Sequence, residues 1–120
     1  MFEGNFLAVI CYHGEIPYKI NPDRVDIILK VMLDLHKRNL LFCIKNESKT
    51  IQQISQEIGL SISSVYRRIC DLDEKKLLIL SGKFNFQGKK EFRYKSKIRK
   101  VIIVFEKDVI DLTVYSNLRK

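Results

Sequence analysis

The sequence is poor in the residues that bind metals or staple a chain together. Its 120 residues include three cysteines, Cys11, Cys43 and Cys70, and two histidines, His13 and His36. The cysteines are odd in number, far apart and never form a C-x-x-C pair, which argues against a secreted disulfide framework. The histidines have no partner at ligand spacing, so neither a zinc site nor any other cofactor is expected. Cys11 and Cys43 fall in apolar runs and are expected to pack in the interior. Cys70 falls on a helix, where a lone thiol carries little signal for redox sensing. Long apolar runs are also missing. The run near the start, Phe6 to Tyr12, is too short to cross a bilayer. No basic stretch precedes it and no small-residue cleavage site follows it, so no signal peptide, no membrane contact and a cytoplasmic location are expected. There is no nucleophile elbow, phosphate loop, metal motif or paired-carboxylate pattern, and an enzyme is not expected. Repeats, low-complexity tracts and flexible linkers are absent as well.

What is present suits one domain spanning residues 1–120. Apolar residues make up 46% of the chain, enough for a core and too many for a disordered segment. The formal charge is +8, and it is unevenly placed. Residues 1–60 carry seven basic and seven acidic side chains, so the whole excess lies in residues 61–120. It is densest in Lys83, Lys89, Lys90, Arg93, Lys95, Lys97, Arg99 and Lys100, interrupted only by Glu91. Such a patch either attracts a polyanion or forms a solvated face.

Along the chain, Asn5 to Tyr12 reads as a short strand, after which Gly14 and Pro17 break regularity. Asn21-Pro22 suits a helix start, since Asn can cap and Pro needs no amide donor at the first helical position. Val25, Ile28, Leu29, Met32 and Leu35 then recur at helical spacing. A break is expected over His36 to Asn39, before a second apolar piece from Leu40 to Ile44. Residues 22–46 read equally as one helix or two. Thr50-Ile51-Gln52-Gln53 fits a capping box, Ile51, Ile54 and Ile58 form a stripe, and Gly59 can end the helix in the left-handed conformation. Ser61 caps the next helix, which puts Val65, Ile69 and Leu72 on one face and should run to about Lys76. Beyond it the pattern turns strand-like. Leu77 to Phe86 is one strand, Asn85 to Lys90 a turn, and from Glu91 the sequence alternates. Phe92, Tyr94, Ser96 and Ile98 face one way, with Phe92 and Tyr94 expected toward the core, and Arg93, Lys95, Lys97 and Arg99 face the other. Val101 to Glu106 and Val109 to Tyr115 read as a last hairpin turning at Lys107-Asp108.

From Ile51 to Leu80 the chain resembles the winged helix-turn-helix of bacterial and archaeal transcription regulators, of the arsenic-repressor-like and multiple-antibiotic-resistance-regulator-like kinds. The shared features are the short helix ending Glu57-Ile58, the Gly59-Leu60-Ser61 turn, Val65 inside the second helix, and the exit from Asp73 through Leu77 into a strand. With the wing, the resemblance covers roughly residues 38–98. It implies an α+β fold: a winged helix-turn-helix core over 38–98 with a β-hairpin wing, an N-terminal helical extension over 1–37 and a C-terminal hairpin over 99–120. The arsenic-repressor group senses metals through paired cysteines, which this chain lacks, so metal sensing is not implied.

The function implied is sequence-specific binding of double-stranded DNA by a transcription regulator. The second helix would enter the major groove, about 12 Å wide, behind the small polar residues at its start. Ser61 opens that helix. Ser63, Ser64, Tyr66 and Arg67 lie off its apolar stripe and should point outward. The serines can bond phosphates or base edges, Arg67 can pair bidentately with guanine, and Tyr66 can pack on a thymine methyl or bind a phosphate. The wing would add Lys83, Lys89 and Lys90 on the backbone or minor groove, with Arg93, Lys95 and Lys97 extending that face. A homodimer is expected, through either Val25 to Leu35 or Val101 to Val114. The alternatives are a winged-helix interaction module in a larger assembly and an RNA-binding module, which would need exposed aromatics on a sheet.

Overall fold

A single residue divides the apolar stretch near the start of the chain. In the computed structural model, helix α1 spans Pro22–Leu33 and helix α2 spans Leu35–Cys43, with Asp34 between them in extended conformation. Its carboxylate accepts from the Lys37 amide at 3.0 Å, which caps α2 and holds the Asp34 carboxyl below the usual carboxylate range. The segment is therefore two helices. The break lies at Asp34, and not over His36 to Asn39, which are inside α2. The described residues are 6–13, 16–18, 22–106 and 109–117, with side chains described for 24–82, 84–104 and 112–117. The cap expected from Asn21 and the turn at Lys107-Asp108 lie outside them.

Helices α3 (Ile51–Ile58) and α4 (Ile62–Glu74) follow. Strands β3 (Leu78–Phe84) and β4 (Lys90–Ser96) then pair antiparallel as a two-stranded wing. Lys49 and Tyr94 exchange backbone hydrogen bonds of 3.0 and 2.8 Å, which pins the wing to the chain entering α3. A second sheet has the order β2-β1-β6-β5, formed by β1 (Phe6–His13), β2 (Ile16–Tyr18), β5 (Ile98–Glu106) and β6 (Val109–Ser116). The C-terminal hairpin is thus half of a larger sheet, since β1 lies parallel to β6 along its whole length. Pro17 does not break the strand pattern. It sits in β2 opposite Tyr12, at a sheet edge, where its missing amide hydrogen costs no ladder bond.

One apolar cluster joins these parts. It contains Val25, Ile28 and Val31 of α1, Leu40 and Leu41 of α2, Ile54 of α3, and Val65, Ile69 and Leu72 of α4. Leu77, between α4 and β3, and Leu78, Ile98, Leu112 and Val114 of the strands complete it. The fold is α+β, a winged helix-turn-helix with a helical N-terminal extension and a C-terminal hairpin. Polar bonds tie the C-terminal sheet to the winged helix. Ser96, fully buried at the end of β4, donates to the Ile98 carbonyl (2.8 Å) and accepts from the Ile98 amide (3.0 Å). The Asn117 side-chain amide donates to the carbonyls of Lys45 (2.8 Å) and Ser96 (2.7 Å). Across the helices, Asp71 of α4 receives Lys37 of α2 at 2.5 Å and Lys75 at 2.8 Å. These partners, Lys37 first, hold the Asp71 carboxyl below its ordinary range.

Candidate nucleic-acid interface

The turn between α3 and α4 is built by short-range chemistry. The Thr50 hydroxyl accepts from the Gln53 amide (3.2 Å), and the Gln53 side chain accepts from the Thr50 amide (2.9 Å). Gly59 then takes φ +70°, a left-handed conformation that favours glycine, and leaves α3. The Ser55 hydroxyl donates to the Leu60 carbonyl at 2.5 Å and fixes the exit. Ser61 caps α4, its hydroxyl accepting from the Ser64 amide at 3.2 Å. The same oxygen lies 3.2 Å from the Ser63 hydroxyl.

With Val65, Ile69 and Leu72 buried, the opposite face of α4 is fixed. Ser63, Tyr66, Arg67 and Cys70 are exposed on it, while Ser64 is half-buried. The two neighbouring arginines behave differently. Arg68 is half-buried and donates to the Ser64 carbonyl at 3.1 Å. Arg67 is exposed and has no hydrogen bond or ion pair among the described residues. The Cys70 thiol raises the Tyr66 hydroxyl above the usual phenol value, by a side-chain hydrogen bond first and by charge second. Tyr94 of the wing is also raised, by burial first and then by Cys70, Asp73 and Tyr66.

The wing turn is held by Asn85 at its start and Gly88 three residues on. The Asn85 side chain accepts from the amides of Gln87 and Lys89, both at 2.9 Å, and Gly88 takes φ +74°. Lys89 and Lys90 project from it, both exposed. The Lys90 ammonium lies 5.3 Å from the centroid of the Phe92 ring. Lys83 pairs with Glu91 in the ladder, but its side chain lies outside those described. Arg93 is half-buried beside Glu91, 3.6 Å away, and its Nε has no hydrogen-bond partner among the described residues. Lys95 is half-buried too, and Lys97 sits at the bend after β4, off the wing.

Several side chains differ from the sequence expectation. Phe92 does not face the core. It shares a face with Tyr94, as alternation requires, yet it is 49% exposed, with Phe84 at 77% on the same face and Phe86 fully exposed at the turn. Tyr94 packs against the core because it pairs near the wing's base. Cys43 is not plain apolar packing. Its thiol donates to Glu57 at 2.9 Å, and Lys49 holds the same carboxylate at 2.7 Å. Burial first, and Glu57 next, push that thiol up to about 11, so it stays protonated at neutral pH. Sequence reasoning also missed Ile62, which is 53% exposed at the start of α4. Its spacing of three from Val65 and seven from Ile69 continues the buried stripe, so periodicity alone carries no signal that it is exposed.

Among the described residues no group of three or more His, Cys, Asp or Glu side chains could hold a metal ion, and no helix is long and apolar enough to cross a membrane. No protein-family model matches the chain, and no curated protein matches it. Ten chains of solved structures do. One belongs to the crystal structure of NolR from Sinorhizobium fredii, with 18% identity and a TM-score of 0.47 over 66% of this chain and 80% of that one. The winged helix-turn-helix stands on this chain's own helices α3 and α4, the turn between them and the β3-β4 wing.

Proposed function

We propose that the chain binds double-stranded DNA sequence-specifically as a cytoplasmic transcription regulator, acts as a homodimer, and uses residues 38–98 as its DNA-binding core. The observation that carries this reading is the outer face of α4. An exposed, unpaired Arg67 follows a serine-capped start, with Ser63 and Tyr66 beside it and Ser64 half-buried at the same end. A guanidinium fork free of internal partners is suited to one base edge in the major groove. Ile62 adds an apolar contact of the kind that meets a thymine methyl. At the other end of the wing, Lys89 and Lys90 suit the sugar-phosphate backbone or the minor groove. Arg93, half-buried beside Glu91, is less available to a phosphate than the exposed Lys89 and Lys90.

Arg67→Ala is expected to weaken binding to a preferred site by about ten-fold or more, since a bidentate base contact carries about 1–3 kcal/mol of discrimination. Binding to a scrambled duplex should change much less. Titration of the variant against a site selected from a random library and its scrambled form, at one salt concentration, checks this. Equal losses on both duplexes would make Arg67 a phosphate clamp and move the specificity to Ser63, Ser64, Tyr66 or Ile62.

A second reading rests on a separate observation, the exposed apolar face of the wing formed by Leu80, Phe84 and Phe92. Such a surface suits a protein partner in a larger assembly. That reading predicts partner capture with no affinity for duplex DNA at low salt.

A further inference from the structure

The two edges of the C-terminal sheet are unlike one another. One edge is β2, three residues long with Pro17 at its middle, and both features discourage further pairing. The other is β5, Ile98–Glu106, with no proline. The irregularity between Ile98 and Lys100 ends the regular ladder there, so the even edge runs from Lys100 to Glu106. Between those two charges the sequence is unbroken apolar, Val101 to Phe105. Ile102, Ile103 and Val104 are 36%, 41% and 37% exposed. Consecutive residues point to opposite faces, so apolar surface is left partly open on both, although Val101, on the Ile103 face, packs against the core. An open, flat, apolar edge of this kind is a site for pairing with another chain.

The charges at its ends identify the partner. We propose that β5 pairs antiparallel with β5 of a second copy, about a two-fold axis through Ile103, joining the two four-stranded sheets into one. In that register Ile103 lies opposite itself, Ile102 opposite Val104, and Lys100 opposite Glu106 of the second copy, at both ends of the ladder. A parallel pairing would set Lys100 against Lys100 and Glu106 against Glu106. Like charges directly opposite destabilise a sheet and opposite charges support it. The strand is thus complementary to itself in one direction only, the direction a two-fold dimer requires. The inference rests on the dimer within the proposed function and is independent of the DNA contact.

The test is cross-linking without DNA. In the full chain with Cys11, Cys43 and Cys70 changed to Ser, Ile103→Cys places one thiol opposite its copy. Directly opposed residues in an antiparallel pair have Cα atoms about 4.5–5.5 Å apart, within the reach of a disulfide. Mild oxidation should give a covalent dimer on a non-reducing gel. Leu33→Cys, at the more exposed end of α1, should not. In the unmodified cysteine background, Lys100→Glu should shift sedimentation equilibrium toward monomer, and Lys100→Glu with Glu106→Lys should restore the dimer. A monomeric parent chain, cross-linking through Leu33→Cys but not Ile103→Cys, or no recovery in the double exchange would each overturn the proposal. Because no nucleic acid is present, loss of DNA binding would leave this result unchanged.

Discussion

Replacing Lys89 and Lys90 with alanine is expected to flatten the salt dependence of duplex binding by about two units of slope. Each phosphate neutralised on duplex DNA releases condensed counterions and contributes about −0.9 to the slope of log K against log salt. The two lysines stand at the tip of the wing, exposed, on a turn whose backbone Asn85 and Gly88 already hold. Their removal should leave the turn in place. The loss should be similar for any duplex sequence, which separates this pair from Arg67. Stability should fall only slightly. Lys90 gives up its place over Phe92, and an exposed cation–π contact contributes about 0.5–1 kcal/mol. The measurement is a series of titrations of parent and variant over rising salt. An unchanged slope would remove the wing tip from the interface.

The largest effect on stability is expected at Leu72. It is fully buried on α4, in the cluster that also contains Ile54 of α3, Leu40 of α2 and Leu77 before the wing. Leu72→Ala removes apolar surface and leaves a cavity at the junction of these elements, and should cost about 2–5 kcal/mol. A domain of this size is stable by about 5–15 kcal/mol in all, so the loss should be a large share of the total. Urea denaturation reads the change as a lower midpoint at unchanged slope. Ser63→Ala on the opposite face is the control and should stay within about 0.5 kcal/mol. A Leu72→Ala variant as stable as the parent would contradict the packing of α4 described here.

The parts legible in the sequence were those whose chemistry is local. Thr50 and Gln53 cap each other across three residues, Gly59 turns by its own backbone, and Ser61 caps the helix it precedes. Each could be named before any tertiary contact was known. The Val65-Ile69-Leu72 stripe is likewise a matter of spacing along one helix. What escaped depends on distance. Cys43 looked apolar from its neighbours, but its partner Glu57 is on the next helix. Phe92 and Tyr94 share a strand face, and alternation could not tell which of them the body of the protein covers. That depends on how far the wing projects. The parallel pairing of β1 with β6 joins the two ends of the described chain, and a run of apolar residues does not name its partner. The break at Asp34 was misplaced because its signal is one capping carboxylate, whereas the four polar residues after Leu35 looked like a stronger interruption.

The central claim, that the charged wing and the outer face of α4 engage duplex DNA, is tested most directly by fluorescence anisotropy with the unmodified chain. A labelled random duplex, the corresponding single-stranded DNA and a single-stranded RNA of equal length are titrated at low salt, and the duplex again at increasing salt. The account predicts tightest binding to the duplex and a log K that falls steeply and linearly with log salt, by about 0.9 for each phosphate contacted. Equal or tighter binding to the single strands, or a slope near zero on the duplex, would contradict it.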